Sequence, residues 1–170
     1  MFFGINDNGL GDNSGEFYVS VRKIGMTAAP RPTYPPALGI DQTFFIGNGS
    51  TDLDTGIDIQ RGDYVRIDTP TTDLYTPGGV VGGGATGSDG WDQLAIRDAA
   101  FPLGSGPYAR KFALLFKYAD GQFYHFAGSS VFRYYWGEFP TRLLLRINDD
   151  TTGGESGGYN PRVRVIHALR

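Results

Sequence analysis

The spacing of apolar residues constrains the fold of this chain more than any other feature. No window of helical length keeps apolar residues at positions i, i+3, i+4 and i+7. Alternating or short continuous apolar runs recur instead, as in β-strands. The chain is therefore predicted to be all-β, with at most one or two helical turns at 92–100. Strands are predicted within the segments 16–23, 55–68, 111–118, 122–126, 130–136, 141–147 and 162–168.

Glycine content supports the same fold class. Of the 170 residues, 26 are glycine, which is about twice the usual share. The chain also has 10 prolines, 12 Phe, 10 Tyr and 2 Trp. This composition is typical of short strands joined by tight turns, with aromatic residues filling the core. One such turn is predicted at Arg61-Gly62-Asp63, between two strands, with Gly62 at positive φ.

Charge and residue usage exclude several classes of protein. Fifteen Lys and Arg against 18 Asp and Glu give a net charge of −3, which argues against a nucleic-acid partner. Apolar runs such as 112–116 are too short to cross a bilayer, so no transmembrane segment is predicted. The absence of cysteine removes disulfides and thiolate metal sites. His125 and His167 are too few for a His-rich zinc site and are predicted to have packing roles.

We expect the chain not to be an enzyme. It has no Gly-x-Ser-x-Gly, no His-Glu-x-x-His and no phosphate-binding loop motif. A glycosidase needs two carboxylates facing each other across a cleft. Asp89, Asp92 and Asp98 qualify for that role only because they are acidic and lie near one loop.

The domain organisation follows from a proline-rich stretch near the N-terminus. The segment 28–39 should be extended and stiff, because proline fixes φ and removes backbone donors. It predicts an N-terminal hairpin arm, or the end of a preceding repeat, at 1–27. A linker is predicted at 28–42 and the main β-domain at 43–170. A second stretch, 78–90, contains seven glycines and is interpreted as a surface loop or as a loop whose backbone approaches a ligand.

One pattern occurs twice, in segments 3–19 and 145–163. Each copy has Ile-Asn-Asp, a polar glycine-rich loop, Ser-Gly, and an aromatic residue two positions after the glycine. The conserved spacing across the loop indicates two copies of one hairpin. The matching residues are Asn6 and Asn148, Asp7 and Asp149, Ser14 and Ser156, Gly15 and Gly157, and Phe17 and Tyr159.

The first copy predicts a calcium site from its residue types. Asp7, Asn8, Asp12 and Asn13 place four oxygen-bearing side chains on one glycine-containing loop. Ca²⁺ accepts carboxylate, amide and carbonyl oxygens together. The alternative is an Asx-Gly turn that satisfies its own backbone. In the second copy Gly154-Glu155 stands in place of the Asp-Asn pair.

Six segments within the stretch 43–168 carry a resemblance to known proteins. They are TGIDIQRGDYVRID at 55–68, LYTP at 74–77, WDQ at 91–93, ALLFKY at 113–118, FR at 132–133 and the loop 144–157. In this order they resemble the LecA-like family of calcium-dependent, galactose-binding bacterial lectins. Family members usually carry Asn or Asp pairs where this chain has Gly154-Glu155, and a sugar-contacting His where it has Gly90.

This resemblance implies a β-sandwich of jelly-roll type and a set of site residues. Calcium would be held by the carboxylates of Asp149 and Glu155 and by the carbonyls of Tyr75 and Thr152. Sugar hydroxyls would contact Asp150, Gln93 and the metal.

The leading functional hypothesis is a carbohydrate-binding module, extracellular or at the cell surface, with calcium-assisted sugar recognition. Trp91 directly follows the glycine-rich segment 78–90 and precedes Asp92. It is the best candidate for an aromatic ring on which a sugar could stack. A second aromatic cluster lies at 134–136. Its three adjacent residues must face both sides of a strand, so at least one is expected in the core.

A structural or adhesive subunit of an extracellular fibre is the alternative. The strands of the N-terminal arm, within 1–24, have no third partner in their own segment, and an isolated hairpin is marginal in water. We therefore expect the arm to add to a sheet of a neighbouring subunit, giving self-association.

Overall fold

The computed structural model describes residues 38–47, 51–78, 84–92, 95, 101–104, 110–150 and 153–167. The chain divides between residues 33 and 34 into two units, and all described residues belong to the second. This described part forms strands and no helix, so it contains no helix able to span a membrane. The strands are β1 Leu38–Thr43, β2 Leu53–Ile59, β3 Tyr64–Asp68, β4 Tyr75–Thr76, β5 Leu114–Tyr118, β6 His125–Phe126, β7 Ser130–Tyr134, β8 Thr141–Ile147, β9 Ser156–Gly157 and β10 Arg162–Ile166.

Two four-stranded antiparallel sheets form a jelly roll. The first sheet has the order β1-β10-β3-β7 and the second has the order β2-β8-β5-β6. Numbering these strands consecutively, without the two-residue pair β4–β9, gives 1-8-3-6 and 2-7-4-5. That is the arrangement of two interlocked Greek keys. The all-β jelly-roll prediction is therefore confirmed for the described residues.

The core lies between the two sheets and follows the alternation visible in the sequence. Along β8 the residues at 141, 143, 145 and 147 are buried, whereas those between them are partly exposed. Val65 and Ile67 of β3, with Val163 and Val165 of β10, belong to the same hydrophobic cluster. Burial of apolar surface by both sheets thus fixes which face of each strand points inward.

The turn at Arg61-Gly62-Asp63 forms where the sequence predicts it, with Gly62 at a φ of 95°. The strands on either side, however, do not pair with each other. β2 pairs with β8, whereas β3 pairs with β10 and β7, so the turn carries the chain from one sheet to the other. Asp63 is buried, and its carboxylate accepts the Gln60 backbone N–H at 2.8 Å and lies 3.1 Å from His167 Nδ1.

The first sheet begins at Leu38, so residues 38–42, which the sequence pattern assigned to the linker, form part of a strand. They pair with β10, and Asp41 accepts the Arg162 Nε–H at 2.6 Å. This pairing partner lies more than 120 residues away, which is why local composition did not indicate the strand. The predicted N-terminal arm, 1–27, lies outside the described residues.

Asp68 is the anionic centre of the outer face of the first sheet. Its carboxylate accepts hydrogen bonds from Arg66 Nε and Ser130 Oγ, each at 2.8 Å, and from Arg164. Partial burial raises the pKa of Asp68, but the hydrogen bonds from Arg66, Ser130 and Arg164 outweigh it and lower the value from 3.8 to about 2. The carboxylate thereby ties β3, β7 and β10 together.

We expect the variant Asp68→Asn to lower stability at pH 7 by about 1 kcal/mol, since partial exposure screens the ion pairs. Because the folded pKa lies below the unfolded one, this contribution is full above about pH 4 and is lost as the pH falls towards 2. Urea unfolding between pH 7 and pH 2 measures it. The wild-type and variant curves should converge at the acid end, and a constant gap down to pH 2 would contradict the assignment.

Candidate functional site

The predicted site lies at the end of the sandwich where β8 ends and several loops meet. β4 pairs with β9, so that Tyr75 is opposite Gly157, and the Tyr75 backbone also bridges to Thr86. The Trp91 N–H donates to the Lys111 carbonyl at 2.9 Å. These bonds bring the loops before β5 and after β8 to one end of the molecule, which we call the loop end.

Two fully buried tyrosines, Tyr75 and Tyr159, form the centre of the loop end, with ring centroids 5.9 Å apart. The Tyr75 hydroxyl donates to Asp149 Oδ2 at 2.5 Å. The Tyr159 hydroxyl lies 2.8 Å from the Phe112 carbonyl and 2.9 Å from the Gly87 carbonyl. Burial raises the pKa of both phenols far above the ordinary value, and for Tyr75 the hydrogen bond to Asp149 adds to it. Both phenols therefore remain neutral donors.

Four carboxylates surround this tyrosine pair. The charges of Asp149 and Glu155 raise the pKa of Tyr75, and those of Asp89, Asp149 and Asp73 raise the pKa of Tyr159. Asp149 is itself buried. The carboxylates next to the tyrosine pair favour a bound cation there, whereas Arg110 and Lys111 carry positive charge elsewhere at the loop end.

Glu155 carries a polar atom that the described structure leaves unsatisfied. Its Oε2 accepts the Gly153 N–H at 2.8 Å, whereas its Oε1 is inaccessible to solvent and accepts no hydrogen bond in the described part of the chain. A buried acceptor without a partner costs about 1–3 kcal/mol, and a charged one costs more. A cation at Oε1 would remove that cost, so the residue fits its predicted role as a metal ligand.

The predicted metal ligands are only partly brought together. Asp149 and Glu155 both lie near the Tyr75 side chain, but the Tyr75 carbonyl accepts the Thr86 N–H at 2.8 Å and it is the phenol that contacts Asp149. The described residues contain no group of three or more His, Asp or Glu placed to hold a metal, so a site here must also use backbone oxygens. The remaining predicted ligands, Asp7, Asp12, Asn13 and Thr152, lie outside the described residues.

The predicted sugar-contacting residues lie in different environments. Trp91 is partly buried and packs edge-on against Phe112, with ring centroids 4.6 Å apart. Asp92 is exposed and lies 3.4 Å from Arg110, and Asp150 is exposed beside the buried Asp149. Gln93 lies outside the described residues. Trp91 thus contributes to the packing of the loop end as well as to its surface.

Asn148 is a structural residue of the site that the sequence did not identify as such. It is fully buried, and its side-chain amide donates to the carbonyls of Leu103 and Arg110 at 3.1 and 2.8 Å. Its Oδ1 accepts the Leu103 N–H at 2.9 Å. Asn148 therefore holds two points of the connection between β4 and β5 next to Asp149. The available signal was the repeated Asn-Asp pair at 6–7 and 148–149.

Comparison with known proteins found matches among solved structures only. No protein-family profile matches the chain, and no curated protein matches it at a significant level. Among solved structures, one that resembles it is the N-terminal domain of EclA, described as a PllA-like lectin. The two chains are 18% identical, the match covers 77% of this chain and 98% of that one, and the TM-score is 0.47.

Proposed function

We propose that the chain is a carbohydrate-binding module whose sugar site is the loop end, with Ca²⁺ assisting recognition. The observation that carries this proposal is the solvent-inaccessible Glu155 Oε1, which has no hydrogen-bond donor and lies in a region that also contains the buried Asp149. An ionised carboxylate oxygen that is buried without a donor is unfavourable unless a cation lies beside it. Oxygen ligands from carboxylates and carbonyls suit Ca²⁺, which tolerates irregular geometry.

Four residues of the loop end have distinct roles in this proposal. Asp149 and Glu155 would hold the cation, together with backbone oxygens of the adjoining loops. The Tyr75 phenol orients Asp149 through the 2.5 Å hydrogen bond, in which the phenol is the donor. When bound, Ca²⁺ offers coordination positions for two neighbouring sugar hydroxyls. The exposed Asp150 carboxylate would accept hydrogen bonds from further hydroxyls.

We also propose that the protein binds sugar without catalysing a reaction, and that it acts outside the cell or on its surface. A fibre-forming subunit remains the alternative, and it depends on the predicted arm at 1–27. Elution of the full chain as polymers in gel filtration would favour the fibre. Elution as a monomer or small oligomer would favour a free binding module.

Isothermal titration of the full chain with a panel of monosaccharides, including galactose, tests the sugar site. In excess calcium we expect binding of at least one monosaccharide with neighbouring hydroxyls, weakened at least tenfold by EGTA. The variant Glu155→Gln should weaken it by a similar factor even in calcium, because the neutral amide is a poorer ligand.

Glu138→Gln is the matched control, since this glutamate is exposed between β7 and β8, and it should leave affinity unchanged. Equal binding in calcium and EGTA would overturn the role of the metal. Failure of every monosaccharide would overturn the loop end as a sugar site.

A further inference from the structure

Four aromatic side chains form a continuous strip on the outer face of the first sheet. Phe132 and Tyr134 of β7, and Trp136 just after it, are alternate residues and so point to the same side. Tyr64 of β3 pairs directly with Tyr134. We call these four residues the aromatic strip.

The rings of the aromatic strip contact one another. Tyr64 stacks on Phe132, with ring centroids 5.2 Å apart and ring planes 9° apart. Tyr64 also meets Tyr134 edge-on at 4.9 Å, and Tyr134 contacts Trp136 at 4.2 Å. These contacts restrict the rings, so a ligand that binds them loses little side-chain entropy on the protein's side.

Much of the strip is open to solvent. Trp136 is 73% exposed, Phe132 is 51% exposed and Tyr64 is 37% exposed. Contiguous exposed apolar surface of this kind usually marks a binding site. From 132 to 136 the strip extends about 13 Å along the strand, which is longer than one pyranose ring.

Polar groups accompany the rings. Arg66 pairs with Phe132 across the sheet, and its Nε–H donates to Asp68 at 2.8 Å. This bond fixes the orientation of the guanidinium while 48% of the side chain stays exposed. The hydroxyls of Tyr64 and Tyr134 make no hydrogen bond within the part of the chain that the structure describes. Directional donors and acceptors therefore lie beside flat apolar rings.

We infer that the aromatic strip binds the pyranose rings of a glycan chain, as a site separate from the loop end. The C–H faces of sugar rings stack on aromatic rings, and their hydroxyls need hydrogen-bond partners at the edge of the contact. The strip supplies both, with Phe132 and Trp136 as apolar surface and Arg66 and the two phenols as hydrogen-bonding groups. Its length suits more than one sugar unit.

The strip and the loop end lie at opposite ends of the sandwich. Tyr135, beside Trp136, donates to Asp120 at 3.0 Å, and Asp120 bonds to Thr141 at the start of β8. Asp149 follows the far end of β8, about 20 Å along the strand. Binding at the strip therefore does not require the calcium proposed for the loop end, and the two proposals can fail separately.

A glycan suits the chemistry of the strip, and a second copy of the chain is the alternative that the test below distinguishes. The exposed large apolar residues of the strip are all aromatic, so the flat C–H faces of sugar rings can stack on them. Glycan hydroxyls can bond to the phenols of Tyr64 and Tyr134 at the same time. The Arg66 side chain, already held by Asp68, is also suited to hydroxyls rather than to a new carboxylate.

Affinity electrophoresis of the full chain tests the strip. Each gel contains galactan, mannan, β-glucan or a soluble chitin derivative. The gels are run with EGTA so that no calcium can support binding at the loop end. We expect at least one polysaccharide to retard the wild type. Trp136→Ala and Tyr64→Ala should each weaken that retardation at least tenfold, because each removes a ring of the strip. Phe123→Ala is the matched control, since Phe123 is 76% exposed but lies outside the strip, and it should behave as wild type.

Tryptophan fluorescence gives a second readout, because the chain has only 2 Trp. In Trp91→Phe all indole emission comes from Trp136. Addition of the retarding polysaccharide should shift this emission to the blue and reduce acrylamide quenching at least twofold. In Trp136→Phe all indole emission comes from Trp91. The same polysaccharide should then change neither the emission wavelength nor the acrylamide quenching.

Three outcomes would overturn the inference. The first is no retardation by any polysaccharide, and the second is retardation unaffected by Trp136→Ala. The third is a strip that mediates self-association, in which Trp136→Ala lowers the mass of an oligomer in gel filtration without changing polysaccharide binding. Loss of calcium-dependent monosaccharide binding in Glu155→Gln, with polysaccharide retardation intact, would leave the inference standing.

Discussion

Replacing Gly157 with alanine is expected to destabilise the domain by about 3–4 kcal/mol. Gly157 has a φ of 77°, in the left-handed region that glycine tolerates best, and a Cβ there would lie 2.2 Å from the Leu74 carbonyl oxygen. That oxygen accepts the Gly158 N–H at 2.9 Å. The carbonyl cannot move away without breaking the bond that joins the loop before β4 to the loop after β8.

The matched control is Gly56→Ala in β2. Gly56 has a similar φ of 70°, but a Cβ there meets no atom within 4 Å. This variant should cost only the conformational term, about 1 kcal/mol. Urea unfolding followed by circular dichroism measures both variants. Equal losses at the two positions would show that the close approach at Gly157 is absent in solution.

Strand positions could be predicted from the sequence because the alternation of apolar residues is a local property. β8 shows this most clearly, since the strand predicted at 141–147 is observed as Thr141–Ile147, and its alternate residues are buried. The segment around Leu114–Phe116 reads as continuously apolar, and all three residues are buried in the central strand β5. In each case the pattern of apolar residues within one short segment is enough to indicate the strand.

Strand pairing could not be predicted in the same way. The turn at 61–63 separates two strands, as in a hairpin, yet these strands belong to different sheets. β1 lies beside a proline-rich stretch and is recognisable only through its pairing with β10. These pairings depend on which long-range contacts close the core, and that information is spread over the whole chain.

The candidate site, like the fold, could be predicted only in part. The repeated Asn-Asp pair drew attention to Asp149, and the resemblance to a lectin family added Glu155 and Tyr75. The role of the Tyr75 phenol was missed, because it depends on how β4 pairs with β9 and so on where the ring points. Tyr135 is in the core, as expected for one of the residues at 134–136. The aromatic strip was not visible, since Tyr64 joins it only through the register of β3 and β7.

Calcium is expected to raise the thermal midpoint of the full chain by about 5–10 °C. A ligand that binds only the folded state stabilises it by about 2.7 kcal/mol at a hundredfold excess over its dissociation constant. For a chain of 170 residues, each kcal/mol corresponds to about 2–4 °C. Differential scanning calorimetry in millimolar CaCl₂ and in EGTA measures the shift, and identical melting in the two would contradict both the loop-end site and the site predicted at 7–13.

The variant Glu155→Gln separates the loop end from the first loop. It should lose the part of the calcium response that belongs to the loop end. In EGTA it should be as stable as the wild type or more stable, because the amide removes an anionic oxygen that is buried without a partner. Any remaining response should disappear on adding Asp12→Ala, which removes a carboxylate of the first loop. A Glu155→Gln chain that keeps the full response in an Asp12→Ala background would show that Glu155 is not a ligand. A marked loss of stability in EGTA would instead assign Glu155 a structural role through its 2.8 Å bond to Gly153.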